Sequence, residues 1–146
     1  MEARIWKIEW SEAMSVGIPE IDEDEKRFIA LADAFNRSVV DRMDISEVRK
    51  RLQAIVDDAE RHFSDEERQL NGRRYPNLGE HAIKHTELKN LVRHILEDSI
   101  SYGTDMEWIN AGLTIKDVLI KHILIEDHKY AEYYRNSRSA GTAGKV

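Results

Sequence analysis

Four stretches of this chain repeat apolar residues at spacings of three, four and seven, with only short polar runs between them. That period belongs to one face of an α-helix and not to the alternation of a half-buried strand. In the first stretch, Glu20 to Asp41, the apolar side is Ile21, Phe28, Leu31, Phe35 and Val39, with charges between. Asp44 and Glu47 have the spacing of a capping box and introduce a second helix, whose Val48, Leu52, Ile55, Val56, Ala59 and Phe63 recur until Asn71 and Gly72. A third helix is expected after Pro76, with Asn77 and Glu80 as its box, Ile83, Leu88, Leu91, Ile95 and Leu96 as its apolar face and Gly103 as its stop. Thr104 with Glu107 opens a fourth, running from Trp108 through Ile115, Leu119, Ile123 and Tyr130 to about Asn136.

Short connections make successive helices antiparallel neighbours, so the predicted fold is all-α, an antiparallel up-down-up-down four-helix bundle. Met1 to Pro19 forms an N-terminal arm whose Trp6 and Trp10 are expected to pack on the bundle, and Gly112 reads as a helix-packing position. One core suffices for 146 residues: residues 1–136 are expected to form a single domain and 137–146 a flexible tail, small and polar in composition.

Charge and residue usage narrow the function. A net charge of -6 with scattered Lys and Arg opposes nucleic-acid binding, which needs a dense basic field. The chain has no cysteine, so thiolate metal sites and thiol nucleophiles are excluded and any metal must be held by His and carboxylate. No stretch reaches the ~20 apolar residues of a membrane span, and the alternating charges of Met1 to Trp10 do not form a secretory signal; a cytoplasmic protein is expected. Neither a Ser, His and acid arrangement nor a Gly-rich phosphate loop competes.

Three polar pairs interrupt the helix faces: His62 with Glu66, His81 with His85, and His122 with Asp127. Residues four apart lie one turn above each other, so each of the first two pairs points one way and could grip an ion. His and carboxylate together suit iron, zinc or manganese, and bundle interiors are where such sites are built. The third pair is irregular: five residues turn a helix by about 500° and leave Asp127 about 140° round from His122. Spacing alone favours Glu126 or His128 and does not choose among the three. A solvated face is the bland alternative for any one pair. Three together, with His62 after an apolar series and His122 among Leu119, Ile120, Ile123 and Leu124, point at a core where polar groups need a partner. His94 and His128 lack such companions and are expected at the surface.

In their order along the chain, Trp10, Val16-Gly17-Ile18, Ile21-Asp22, His62-Phe63, Glu66-Glu67, Tyr75-Pro76, His81, His85, His122-Ile123 and Asp127 resemble the hemerythrin family, in its bacterial form, across most of the sequence. The resemblance implies two iron ions, oxo- or hydroxo-bridged, with His81, His85 and His122 terminal on one, His62 terminal on the other, and Glu66 and Asp127 bridging. It also decides for Asp127 over Glu126. Dioxygen, or another small diatomic or anionic ligand, is then expected at the ion with fewer nitrogen ligands, in a dry pocket lined by Leu119 and Ile123. Tyr130 matches an aromatic position of the family. The resemblance implies nothing about oligomeric state.

Two positions depart from the family pattern. Glu25 stands where the family has another terminal His, and Val118 stands where many members carry a Trp, which predicts a looser pocket or a tunnel. Glu25 has three readings: a solvated charge in an acidic first turn, a ligand through one oxygen, or a ligand through two. As a ligand it adds a third anion and favours the ferric state. An oxygen-binding protein for storage, delivery or sensing is therefore the first functional expectation. A diiron redox enzyme acting on ferrous iron, peroxide or nitric oxide is the second, and a metal-free scaffold the third.

Overall fold

The structure, a computed structural model, describes residues 5–143, with side chains described as far as Ser137. Residues 1–4 of the expected arm and 144–146 of the expected tail lie outside the described residues. A short 3-10 turn, Glu12–Met14, precedes α1 (Pro19–Val40), α2 (Ile45–Gly72) and α3 (Leu78–Asp98). A second 3-10 turn, Ser99–Ser101, leads to α4 (Asp105–Lys121), which continues through a π-helical stretch, His122–Asp127, into α5 (His128–Ala143). These last three segments make one continuous rod, so the architecture is the all-α four-helix bundle that the periodicity predicts. The rod extends beyond Asn136, where the pattern placed its end.

Side-chain contacts fix the directions. Near the start of α1, Asp24 meets Arg61 in the second half of α2, while Arg51 near the start of α2 donates to the Ala34 carbonyl late in α1. Arg49 donates to the Ser99 carbonyl beyond α3, and Arg42, past the end of α1, pairs with Asp105 at the start of α4. α1 packs on α2 and α4, and α3 on the same two, which closes the ring.

Pro19 begins α1 with a φ already suited to a helix, and Glu20 and Asp22 place negative charge at its positive end. The arm is tied down: Asp22 accepts from the Ser15 hydroxyl and the Val16 amide, and Ile8, Met14, Val16 and Ile18 are buried. Trp10 packs against the core and Arg37 lies over the Trp6 ring, as expected of both tryptophans. Gly112 is a close-approach position, because a Cβ there would collide with the side chain of Asn36, which donates to the Trp6 and Gly112 carbonyls.

Local signals were less faithful than periodicity. Of the three expected capping boxes only Thr104 with Glu107 forms both hydrogen bonds; Asp44 and Asn77 are N-caps without a side-chain bond. Glu47 turns instead to Arg51, 3.0 Å away. α3 gives way to the 3-10 turn before Gly103, whose amide donates to Glu107, so Gly103 does not stop the helix. Ile83, expected on the core face, is 60% exposed, because His81 and His85 define the inward side of that turn.

The core has two apolar clusters. The larger is built around Phe28, Phe35, Leu52, Ile55, Phe63, Trp108 and Ile115, and the smaller around Ile18, Ile21, Leu70, Tyr75 and Tyr130. Each fully buried side chain such as Phe35 or Leu52 contributes ~1.5–3 kcal/mol through lost water contact. Between the clusters, at one level of all four rods, lies a layer of buried polar side chains.

Candidate metal centre

Every sequence-predicted ligand lies in this layer: Glu25 from α1, His62 and Glu66 from α2, His81 and His85 from α3, and His122 and Asp127 from the fourth rod, all at most 6% exposed. Their donor atoms form two groups, each with one atom per residue within 4.8 Å of the others. The first is Glu66, His81, His85, His122 and Asp127; the second is Glu25, His62 and Glu66. Glu66 belongs to both. One of its oxygens, Oε1, stands 2.8 Å from His81 Nε2 and 3.1 Å from His85 Nε2, and Oε2 lies 3.9 Å from His62 Nε2.

Asp127 reaches the centre because the helix widens. In a π-helical stretch the hydrogen bonds run from i to i+5, so the fifth residue comes round beneath the first instead of about 140° away. Asp127 Oδ1 is 3.1 Å from His122 Nε2 and 3.2 Å from His81 Nε2. Glu126, the residue that α-helical geometry would favour, faces Lys129 at 3.0 Å. His94 is exposed as expected, but His128 is half-buried, with a sheltered Nε2 that has no partner.

Glu25 is 1% exposed, which overturns its reading as a solvated charge. Its Oε2 has no hydrogen-bond partner, and neither do Glu66 Oε2, both Asp127 oxygens or His122 Nε2. Burial pushes the Glu25 carboxyl well above the usual range, and facing Asp127 and Glu66 push it further. Burial would raise Asp127 as well, but His122, Glu25 and His81 outweigh it and hold that group well below its usual value. Burial lowers His81, yet Asp127 and Glu66 carry it up to about 9. So many buried polar atoms without partners would be costly in a chain that bound nothing there. Four imidazoles and three carboxylates, with no thiol, fit divalent cations of borderline hardness.

A second ring of residues orients the imidazoles of this layer. His62 Nδ1 lies 2.7 Å from Asp24, and His85 Nδ1 lies 2.8 Å from Glu67, leaving each Nε2 for the centre. Burial works to raise Asp24, but hydrogen bonds from His62 and Arg61 prevail and lower it to about 2. Phe63 stacks on His85 at 4.2 Å and Phe28 on His62 at 4.8 Å, limiting ring rotation. The buried Tyr130 hydroxyl has no partner, and burial followed by Asp127 raises it well above 10, so it stays a proton donor. Asp24 was missed in the sequence because it sits beside Glu25 in a run of acids; its only signal was that adjacency.

Three spaces border the layer. In the bundle interior, lined from all four helices, is an apolar cavity of ≈ 10 Å³ between Phe28, Phe63, Leu88, Val118 and Leu119, about the room one water-sized molecule needs. Between α3 and the fourth rod a cleft of ≈ 420 Å³ has His122, Glu87 and Glu126 in its wall. Leu119 and Ile123 are buried. On the α1 and α2 side a cleft of ≈ 590 Å³ has His62 and Glu66 in its wall.

Among the described residues no helix is long and apolar enough to cross a membrane. The hemerythrin HHE cation binding domain pattern matches residues 16–134. The chain is also 27% identical over 127 residues to the bacteriohemerythrin of Clostridium acetobutylicum, covering 84% of this chain and 98% of that one. With the donor layer falling inside the matched span, the chain belongs to the hemerythrin HHE cation-binding family.

Proposed function

We propose that this protein holds two iron ions and binds dioxygen, with Glu25 replacing one terminal His. The observation that carries the reading is the pair of donor groups sharing Glu66. His81, His85 and His122 would be terminal on one ion, His62 and Glu25 on the other, and Glu66 and Asp127 would lie between them. An iron pair supplies two one-electron oxidations at neighbouring ions, which suits uptake of dioxygen. The protein's part is placement and dryness. Asp24 and Glu67 fix the imidazoles, Leu119, Ile123 and Phe63 keep water from the open side, and Tyr130 offers a buried hydroxyl donor. Val118, in place of a larger residue, lines the apolar cavity beside this layer.

The test is iron quantitation with a visible spectrum before oxygen exposure, after it, and after purging. Two irons per chain and an oxygen-dependent band that fades only in part on purging are expected. Protein that holds no iron, or a spectrum indifferent to oxygen, would sink the proposal.

A second reading, a diiron redox enzyme, draws support from the buried Glu25, which makes the centre richer in carboxylate. Its mark is reductant consumed over many turnovers.

A further inference from the structure

The cleft between α1 and the second half of α2 runs from exposed Glu20 and Arg68 to a wall containing His62 and Glu66. Asp24 lines it with one oxygen 2.7 Å from His62 Nδ1 and the other 2.7 Å from Arg61. Arg61 also bonds Asp58 at 3.0 Å and Asp65 at 2.9 Å, so one guanidinium clasps three carboxylates over this approach. Glu66, 3% exposed, keeps an Oε2 without a hydrogen-bond partner.

We propose that this cleft is the entry route for the divalent cation, with Arg61 as the latch that closes it. The inference rests on the metal centre proposed above and adds how it is filled. The interior apolar cavity offers no oxygen to replace the water around an ion, and stripping that water without replacement is costly. The cleft between α3 and the fourth rod reaches His122 but sets Lys84 and Lys121 beside Glu87 and Glu126, which Lys84 and Lys129 already pair. The cleft between α1 and α2 offers Glu20 at its mouth, Asp65 and Asp24 further in, and Glu66 beyond, all hard oxygen ligands that exchange readily with water. Its guanidiniums are already engaged: Arg61 as described, Arg68 on Asp65 at 2.9 Å, and Arg73 over the Tyr134 ring. An incoming anion therefore meets carboxylates, while a cation can take Arg61's place on Asp24 and Asp65. The Arg61 side chain is 38% exposed, so it can swing into water without movement of α2.

Uptake of Co²⁺ by metal-free full-length protein, followed by its visible absorption in stopped flow, reads the route, and final metal content reads the centre. Arg61→Gln is expected to load at least about fivefold faster, since three screened ion pairs no longer need to break. A chelator should also strip its metal faster, with final content unchanged. Gln69→Trp, which narrows the cleft, is expected to slow loading; Arg93→Gln, which removes a comparable surface pair with Glu60 elsewhere, is expected to match wild type. Wild-type rates in both cleft variants with full metal content would overturn the route while leaving the centre intact. No metal in any protein would overturn both.

Discussion

His122 and Asp127 are five residues apart, yet they bring Nε2 and Oδ1 to 3.1 Å because the helix between them is π-helical. An uninterrupted α-helix would have turned Asp127 away and offered Glu126 instead.

Replacing Asp127 by Ala should therefore remove bound metal, while Glu126→Ala should leave metal content at the wild-type level. The second change costs only the exposed pair with Lys129, about 0.3–0.5 kcal/mol. Metal analysis with chemical denaturation checks both, and equal metal loss in the two proteins would contradict the π-helical placement.

Glu25 should lower the midpoint potential of the metal centre relative to Glu25→His. Three anionic ligands offset more of the cations' charge than two, which favours the oxidised state. The same difference predicts less complete return of the reduced form when oxygenated protein is purged. Anaerobic redox titration of both proteins measures it; identical potentials would mean that Glu25 does not act as an anionic ligand.

In metal-free protein, Glu25 should make stability fall as pH rises. Burial, then Asp127 and Glu66, raise its folded-state value well above the ordinary 4.5, so the native state binds the proton more tightly than the unfolded chain. Its contribution is complete below 4.5 and is lost as pH rises through the folded-state value. The depressed Asp127 and Glu66 act in the opposite sense, stabilising above their ordinary values and losing that as pH falls. Both are retained in Glu25→Gln, so the difference between the two proteins isolates Glu25 to a first approximation. Urea midpoints across pH should show Glu25→Gln gaining on wild type as pH increases; parallel curves would rule this out.

Among the caps, Thr104→Ala should cost ~1 kcal/mol, and Asp44→Ala and Asn77→Ala less, because only Thr104 accepts from the N3 amide. Thermal unfolding of the three variants would decide, and equal losses would count against the difference in capping.

The bundle was legible in the sequence because periodicity reports burial over whole helices, and errors at single positions such as Ile83 average out. The i, i+4 pairs His62 with Glu66 and His81 with His85 were legible for a related reason: regular helix geometry places both members on one side. Capping boxes are shorter signals and compete with other partners, as Glu47 does by bonding Arg51.

Sequence by itself determined four amphipathic rods, their antiparallel order and the polar positions that interrupt their apolar faces. Only tertiary structure decided which of those polar residues meet. The widened turn selects Asp127 over Glu126, packing buries Glu25 while the neighbouring acids Glu20, Asp22, Glu23 and Asp24 stay exposed or half-buried, and Asp24 finds His62 across 38 residues of chain. Each depends on where neighbouring rods stand, which spacing along one helix does not encode.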